Sequence, residues 1–284
     1  MASRLGVTAP VALRVNPDVE ADTHHKIATG KKGNKFGIDH EQLEQAAMLA
    51  ASLSHLRLVG LALHIGSHLM DIGAYRRAYE VTARYVRELR TAGHDITRLD
   101  LGGGMGVPYR EGAEFDAAGY AAMVQETLGS LGCFFSFEPG RYIVADAAVL
   151  LTRVILVKQG VSHRFVVVDA AMNDLVRPTL YEAWHGIRPV TQPENGAALE
   201  EADVVGPICE SGDFLAKQRP LPPLNTNDLL VVDHGGAYGA VMAGTYNSRP
   251  LVAEVLVDGT RWATIRPRVE VDTQISWDKV PEWV

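Results

Sequence analysis

Two short segments in the first half of the chain combine residue types that can bind a phosphate group. Gly102-Gly103-Gly104 directly follow the apolar run Ile96–Leu101, and glycines at such a place let backbone N–H groups approach an anion closely. Glu138-Pro139-Gly140-Arg141 follow the next apolar run, Phe134–Phe137. Each segment has an ordinary explanation: a tight turn with positive φ for the glycines, and a surface ion pair between Glu138 and Arg141. Two such loops in succession favour a phosphorylated ligand.

A third segment, His64-Ile65-Gly66-Ser67-His68, ends another apolar run. A lone histidine is usually structural, with its ring hydrogen-bonded to a neighbour. At the strand ends that also carry the glycine loop, however, the ring of His64 can stack on a ligand or move a proton. The Ser67 hydroxyl can donate a hydrogen bond to a phosphate oxygen.

Three polar segments of the second half hold candidate substrate-binding and catalytic residues. Arg177 and Tyr181, four residues apart, can share one face of a helical turn, which suits a clamp on a carboxylate; the alternative is an exposed helix start with ordinary ion pairs. Cys209 opens the run Cys209-Glu210-Ser211-Gly212-Asp213. It is either a small buried hydrophobe or an acid, base or nucleophile. Tyr238 ends a glycine-rich turn that begins at Asp233.

Short apolar runs alternate with helical patterns up to about residue 145. The predicted strands are Val11–Val15, Arg57–Ile65, Ile96–Leu101 and Phe134–Phe137, and the predicted helices are Glu41–Leu53, Ile72–Thr91 and Tyr120–Leu131. Asp39 is available to cap the first helix, and Gly93 to close the second. Strand–helix repeats of this kind predict parallel strands joined by helical crossovers.

Beyond this point the pattern changes to strands separated by loops that contain proline and glycine. The predicted strands are Val149–Val157, Arg164–Val168, Asp203–Val205, Leu229–Val232, Val252–Val257 and Arg261–Ile265. We therefore predict an α/β domain over residues 1–147 and a mostly antiparallel β domain over residues 148–284. A closed (β/α)8 barrel needs eight strand–helix units. The first domain has four at most, so it is either a smaller open α/β domain or half of a barrel.

Composition and charge argue against several classes of protein. The 284 residues are 47% hydrophobic and 21% charged, as expected of a globular protein with a core. A net charge of -7 without a long Lys/Arg run argues against nucleic acid as a partner. Cys133 and Cys209 have no CxxC spacing, so we expect neither a disulfide framework nor a zinc site. With no signal-peptide pattern and no membrane-length apolar run, the sequence predicts a cytoplasmic protein.

Together these segments resemble the diaminopimelate decarboxylases, a family of pyridoxal-phosphate enzymes. The resemblance covers nearly the whole chain and depends on the order and spacing of the motifs. It also includes Arg14-Val15-Asn16-Pro17, Thr29-Gly30, Lys35-Phe36-Gly37, Asn173–Tyr181, Gly236–Tyr238 and Tyr246-Asn247-Ser248-Arg249-Pro250. It implies the second half of an alanine-racemase-like (β/α)8 barrel followed by a β domain. The family's reaction converts meso-diaminopimelate to L-lysine and carbon dioxide, with the cofactor as electron sink.

The resemblance implies a role for each candidate residue. In the first half, His64 would stack on the pyridine ring and Glu138 would pair with the ring nitrogen. The phosphate would be held by Ser67, by the glycine loop and by the backbone of the Pro139-Gly140-Arg141 segment. Substrate carboxylates would bind Arg141, Arg177 and Tyr181.

The remaining roles fall on loops of the second half. Glu210 would contact the distal amino group of the substrate, and Tyr238 would touch both cofactor and substrate. Cys209 would be the acid that reprotonates the α-carbon. In this family Cys209 and Glu210 are offered across a dimer interface, so the resemblance implies a homodimer with composite active sites.

The family's Schiff-base lysine lies on the first barrel strand, upstream of the segments matched here. The lysines of this chain are Lys26, Lys31, Lys32, Lys35, Lys158, Lys217 and Lys279, and none ends an apolar strand. We therefore expect the chain to lack this lysine together with strands one to four. Half a barrel would leave strand edges exposed until another chain covered them.

Two other functions stay open from the sequence. One is a decarboxylase of the same fold that acts on ornithine, arginine or a carboxylated polyamine of the carboxynorspermidine type. Diaminopimelate is favoured because Arg177 with Tyr181 offers a second carboxylate site, and because Glu210-Ser211-Gly212 follow Cys209; alanine racemases lack that loop. The other is an inactive truncated homologue, which the expected loss of the lysine favours.

Overall fold

A computed structural model describes residues 1–19, 35–112, 114–193 and 197–284. These residues form two compact units, Met1–Ile143 and Val144–Val284, here called the first and second unit. The Thr29-Gly30 part of the motif set lies outside the described residues. The domain boundary after residue 147 stays a prediction.

The first unit alternates strands with helices. Its elements are α1 (Ala2–Leu5), β1 (Ala9–Asn16), β2 (Ile38–Asp39), α2 (Leu43–Ser52), β3 (Leu56–Ala62), α3 (Ile72–Thr91), β4 (Arg98–Asp100), α4 (Ala117–Leu128), β5 (Phe134–Ser136) and α5 (Gly140–Val144). The strands form one sheet in the order β2-β1-β3-β4-β5, and every pair is parallel. The predicted parallel sheet with helical crossovers is therefore confirmed.

Helix ends in the first unit agree with the sequence at some places and not at others. Asp71 and Asp116 accept hydrogen bonds from Gly73 N and Gly119 N, each over 2.8 Å, and so cap α3 and α4. Gly93 lies just beyond α3 with φ of 92°. The proposed cap Asp39 lies before a 3-10 turn instead, without a side-chain capping bond, and α2 begins only at Leu43.

Alternation along the strands gives the sheet two different faces. On β4, Leu99 is fully buried in the core with residues of α3 and α4, whereas its neighbours Arg98 and Asp100 point the other way and line a cavity of about 450 Å³. On β5, Phe134 lines the same cavity and is 73% exposed, while Phe135 packs against the core. One face of the sheet is thus covered by helices and the other is open.

The second unit is built on a six-stranded sheet. Its elements are β6 (Leu150–Gln159), β7 (Arg164–Val168), α6 (Arg177–Tyr181), β8 (Ile187–Pro189), β9 (Glu200–Val205), β10 (Phe214–Leu221), β11 (Leu229–Val232), β12 (Glu254–Asp258), β13 (Arg261–Arg266) and α7 (Val271–Ile275). The sheet order is β10-β9-β7-β6-β11-β8, with β12 and β13 as a separate hairpin. Only the β7–β9 pair is parallel among the described ladders of this unit, so a mostly antiparallel domain was correctly predicted.

Two strands of this sheet were not predicted. In β10 the register shifts twice against β9, and Gln218 has a positive φ of 47°, so the side chains do not follow a simple alternation. Strand β8 has only three residues and ends in Pro189. Both strands therefore lack the periodic pattern by which a strand is recognised.

Among the described residues, no helix is long and apolar enough to cross a membrane.

Candidate active site

The glycine loop Gly102–Gly104 is packed against the backbone of two neighbouring strand ends. A Cβ added at Gly102 would lie 2.2 Å from Leu63 O, and one at Gly103 would lie 2.0 Å from Glu138 O. Gly102 and Gly104 also have positive φ, of 68° and 96°. The positive φ values agree with the tight turn that the sequence offered, and crowding by neighbouring carbonyl groups is a second reason for glycine; the approach of an anion to this loop stays a prediction.

Three buried tyrosines lie behind this loop. Tyr75 Oη donates to Gly103 O over 3.3 Å, Tyr79 Oη donates to Leu101 O over 3.2 Å, and the hydroxyls of Tyr79 and Tyr120 are 2.6 Å apart. Burial raises the pKa of each of these tyrosines, so they stay neutral hydrogen-bond donors. Sequence reasoning took these residues only as part of helices, because their partners are 22 to 41 positions away.

His64 directly contacts the glycine loop. Gly103 N donates to His64 Nδ1 over 3.3 Å, so Nδ1 is the acceptor and the proton of the neutral ring lies on Nε2. Burial lowers the pKa of His64, the charge of Arg14 lowers it further, and Asp100 acts in the opposite direction. The ring is therefore neutral near pH 7, at the mouth of the strand ends where the sequence placed it.

Arg141 is turned inward rather than into solvent. It is 9% exposed, donates to Tyr109 Oη over 2.6 Å and to Ser67 Oγ over 3.2 Å, and its guanidinium lies 5.7 Å from the centre of the Tyr109 ring. An ordinary surface ion pair with Glu138 does not describe a buried guanidinium. Arg141 and Ser67, predicted separately, are thus brought together.

Gly140 differs from the other site glycines. A Cβ added at this position would meet nothing within 4 Å, and its φ is not in the left-handed region. Nothing in the described fold therefore requires a glycine there. By contrast, a ligand that approaches the backbone of Gly140 closely would require one.

All four lysines that the structure describes are exposed. They are Lys35, Lys158, Lys217 and Lys279. Lys35 and Lys217 lie over the rings of Phe36 and Phe214, at 4.8 and 4.1 Å from the ring centres. These positions are typical of surface lysines.

In the second unit the predicted polar segments converge around α6. Thr179 on this helix donates to Gly212 O over 2.5 Å. The buried carboxylate of Asp213 accepts from Met172 N and from Ile208 N, each over 2.7 Å. Asp213 therefore has a structural role: it holds the loop Cys209–Asp213 beside the segment that leads into α6.

The Tyr246–Pro250 segment is fastened to the same place. Arg249 Nε donates to Asn173 Oδ1 over 2.8 Å and Arg249 Nη2 to Asp169 O over 2.6 Å, while Asn173 Nδ2 donates to Gly244 O over 3.1 Å. Burial raises the pKa of Asp174, although the N–H of Ala171 and the charge of Arg249 oppose this. Asn173 and Arg249 therefore join loops of the second unit.

Arg177 begins α6 and Tyr181 ends it, so the predicted helical turn is confirmed. Arg177 is buried, at 5% exposed, which rules out the exposed helix start. Its Nη1 lies 2.6 Å from Nε2 of His185, a fully buried residue that sequence reasoning missed. Tyr181 is half-buried at the other end of the helix.

The candidate catalytic loop residues lie at the surface of the chain. Cys209 is exposed, so its interpretation as a small buried hydrophobe is wrong. Glu210 Oε2 accepts a hydrogen bond of 2.7 Å from Tyr246 Oη, and this bond raises the pKa of the tyrosine. Tyr238 is 43% exposed and has a positive φ of 60°, a conformation that is strained for a bulky residue.

Among the described residues, no group of three or more His, Cys, Asp or Glu side chains could hold a metal ion.

Comparison with known proteins gives a consistent family. Residues 2–145 match the model of the "Pyridoxal-dependent decarboxylase, pyridoxal binding domain". The chain is 45% identical to a diaminopimelate decarboxylase of Zymomonas mobilis, over 100% of this chain and 67% of the relative. It is 49% identical to one of Pseudomonas aeruginosa, over 95% and 65%. The crystal structure of diaminopimelate decarboxylase from Helicobacter pylori complexed with L-lysine has a TM-score of 0.92 at 37% identity, over 97% of this chain and 68% of that one.

The parallel sheet with its glycine loop, and the family model that matches it, define the chain as a member of the pyridoxal-dependent decarboxylases. Within this class it belongs to the diaminopimelate decarboxylase family, with identities of 45% and 49% to the two bacterial relatives above. The resemblance that the motifs suggested is therefore confirmed. The chain spans about two thirds of the length of these relatives.

Proposed function

We propose that this chain carries the residues of a pyridoxal-phosphate-dependent decarboxylase that converts meso-diaminopimelate to L-lysine and carbon dioxide. The observation that carries the proposal is the cluster at the strand ends of the first unit, where the glycine loop contacts both His64 and Glu138. When bound, pyridoxal phosphate supplies the electron sink for the bond that breaks as carbon dioxide leaves.

The first unit fits the cofactor at three points. Gly140 has open space beside its backbone where a phosphate oxygen can approach. The neutral ring of His64 can stack on a pyridine ring without adding positive charge. Glu138 is exposed at the same strand ends. Its carboxylate would pair with the pyridine nitrogen of the cofactor and favour the protonated, positively charged form of that nitrogen.

Ser67 and Arg141 extend this site. Their hydrogen bond fixes the Ser67 oxygen as an acceptor from Arg141, so the serine proton is directed elsewhere and can be donated to the phosphate. The guanidinium of Arg141 would also bind a substrate carboxylate.

The second unit supports diaminopimelate over ornithine or arginine. Arg177 is a buried cation, and a buried guanidinium is best matched by a carboxylate that accepts its hydrogen bonds. Diaminopimelate keeps a carboxylate at its far end, whereas ornithine has only an amine there. Tyr181 and Tyr238 would complete the contacts to the substrate.

Cys209 would donate the proton that replaces carbon dioxide on the α-carbon, while Glu210 would bind the distal amino group. Exposure of this loop on the described chain agrees with a homodimer in which both residues are offered to the partner's site. A cysteine that is reached by the substrate and re-protonated from solvent can act repeatedly as an acid.

We infer that the first unit is the second half of a (β/α)8 barrel. Its strands are uniformly parallel, and the face that the helices leave open borders a cavity of about 450 Å³. In a closed barrel this face would point to the filled interior.

The test is a decarboxylation assay with the chain, pyridoxal phosphate and meso-diaminopimelate, with ornithine and arginine as control substrates. Any release of carbon dioxide should come from diaminopimelate and from neither control substrate. Borohydride reduction followed by mass spectrometry identifies any lysine that anchors the cofactor. Preferential turnover of ornithine or arginine would contradict the substrate, and the absence of turnover with all three would contradict activity of this chain.

A further inference from the structure

His185 is a buried imidazole that connects two segments of the second unit. It is fully buried, its Nε2 lies 2.6 Å from Arg177 Nη1, and its Nδ1 lies 2.8 Å from Asp233 O. Asp233 directly follows β11 and begins the turn that leads to Tyr238. The imidazole therefore joins the start of α6 to the start of that turn.

The chemistry of the two partners fixes the state of the ring. A guanidinium has five N–H donors and no acceptor, so Nε2 must accept from Arg177. A carbonyl oxygen can only accept, so Nδ1 must carry the proton that is donated to Asp233 O. His185 is therefore a neutral imidazole with its proton on Nδ1, and protonation of Nε2 would remove the acceptor and place a second positive charge against Arg177.

The backbone around His185 is held from several sides. Arg219 Nη1 donates to His185 O over 2.6 Å, and its guanidinium lies 4.2 Å from the centre of the Trp184 ring. On the other side, Asp233 N donates to Gly186 O over 2.9 Å, and Arg188 pairs with the Asp233 carboxylate at 3.1 Å. The backbone that carries the ring is therefore held by contacts that do not involve Arg177.

We propose that His185 is a positioning residue that holds the Arg177 guanidinium in the orientation needed to bind the substrate carboxylate. This inference rests on the proposed function, and it assigns the specificity of that site to a residue outside every motif of the family resemblance. A carboxylate partner would orient the guanidinium but would also compete with the substrate for its charge. A neutral imidazole orients it without cancelling the charge.

Two substitutions separate positioning from a general effect on folding. In His185→Asn the side-chain amide reaches the place of Nδ1, so it can keep the bond to Asp233 O but cannot reach Arg177. In His185→Gln the amide oxygen reaches the place of Nε2, so it can keep the bond to Arg177. Both variants remove the ring, so a purely structural role predicts similar losses for the two.

The first measurement is calorimetric binding of L-lysine and of cadaverine, a diamine of the same length without a carboxylate. For the wild-type chain loaded with cofactor we expect L-lysine to bind more tightly. His185→Asn should weaken L-lysine about tenfold, the usual effect of one hydrogen bond to a charged group, and leave cadaverine unchanged. His185→Gln should restore most of the loss, and His185→Asn should add little in an Arg177→Ala background.

The second measurement is the ¹⁵N NMR spectrum of the His185 ring, which distinguishes the two neutral tautomers and the imidazolium. A proton on Nδ1 at pH 7 is expected. A proton on Nε2, or a charged ring, would overturn the proposal, and so would equal L-lysine affinity of His185→Asn and wild type. Neither the calorimetric nor the NMR measurement depends on turnover. A chain that fails the decarboxylation assay but shows the expected tautomer and affinities would therefore contradict only the proposed activity.

Discussion

The two units place functional groups in different ways. In the first unit the site is arranged around a backbone turn: a loop of three glycines is packed between neighbouring strand ends, and buried tyrosines donate to Gly103 O and to Leu101 O just before the loop. In the second unit the site is made of side chains that hold one another, such as Arg177 with His185 and Glu210 with Tyr246.

This difference matches the ligands that each unit would bind. A phosphate can be held where a glycine leaves space beside the backbone, as at Gly140. In the glycine loop, Gly102 N and Gly103 N already donate to Asp100 Oδ1 and His64 Nδ1. A carboxylate at a set distance needs a guanidinium in one orientation, and that orientation depends on partners. We therefore expect changes in the first unit to act on cofactor and stability, and changes in the second unit to act on substrate and turnover.

The largest expected effect comes from the second unit. Replacing Cys209 with alanine should slow turnover of a complete, active enzyme by a factor of about 10² to 10⁴, the range for loss of a positioned acid. Because Cys209 is exposed, the free energy of unfolding should change by less than about 0.5 kcal/mol, and pyridoxal phosphate should stay bound. Stopped-flow kinetics measure the turnover, and the absorbance of pyridoxal phosphate shows whether the cofactor stays bound.

The matched control is Cys133→Ala. Cys133 is half-buried in the first unit, lies 3.2 Å from Arg90 Nη2 and directly precedes β5, at the opposite end of this strand from Glu138. Its loss should leave turnover unchanged. Equal turnover of Cys209→Ala and wild type would disprove the role of Cys209 as the acid.

The next effect distinguishes two glycines of the first unit. In Gly103→Ala the new Cβ would meet Glu138 O at 2.0 Å, so the strand ends must shift at a cost of about 3 kcal/mol in the free energy of unfolding. In Gly140→Ala the Cβ would meet nothing within 4 Å, so stability should stay within about 0.5 kcal/mol of wild type. Urea unfolding measures both changes.

Gly140→Ala, which should leave stability unchanged, is instead expected to affect the binding of the cofactor. The substitution should weaken pyridoxal phosphate while the fold stays intact, because the space beside this residue is the proposed phosphate position. Equal stability of Gly103→Ala and wild type would contradict the close packing of the glycine loop.

A smaller effect is expected for Arg177→Ala. Loss of a buried charge-assisted hydrogen bond of about 1.5 to 3 kcal/mol should raise the KM for diaminopimelate by about 10- to 100-fold. Arg261→Ala is the control, because Arg261 is exposed and pairs with Asp258 on the β12–β13 hairpin, and exposed pairs contribute at most about 1 kcal/mol. A KM that is unchanged in Arg177→Ala, or raised equally in both variants, would exclude the carboxylate clamp.

The smallest effect is the dependence of stability on pH through His64. Burial lowers the pKa of His64 in the folded chain below the ordinary value of 6.5. The unfolded chain therefore binds the proton first as pH falls, so stability is full above about pH 6.5 and declines below it until the folded-state pKa is passed. His64→Gln should remove this decline, and His163→Gln, at an exposed position, should not. A decline that persists in His64→Gln would assign it to other groups.

The sequence predicted the first unit better than the second. The parallel sheet, its crossovers and the glycine loops were predictable, because hydrophobic periodicity and glycines at strand ends are local signals. Strand β10 was not, since its bulges and Gln218 break the alternation. Partners such as His185 and Tyr246 were not assigned functional roles either, because they lie 8 and 36 positions from the residues they hold.

The motif residues themselves divide in the same way. Arg177 and Tyr181 were found because a spacing of four is a local property of a helical turn. Asp213 and Arg249 belong to quoted motifs, yet they bond to backbone and side chains of other loops. A motif therefore shows that a segment matters, whereas only the structure separates residues that bind a ligand from residues that hold the loop.

The most direct test of the account compares the binding of pyridoxal phosphate and of pyridoxal, which lacks the phosphate, to the wild-type chain and to Gly140→Ala. Absorbance titration of each ligand measures the two affinities, and any lysine that reacts with both aldehydes affects both titrations alike. We predict that the wild-type chain binds pyridoxal phosphate at least about tenfold more tightly than pyridoxal, as one or more charge-assisted hydrogen bonds require, and that Gly140→Ala loses most of this difference. Equal affinities of the wild-type chain for the two ligands would contradict a phosphate site at the strand ends of the first unit.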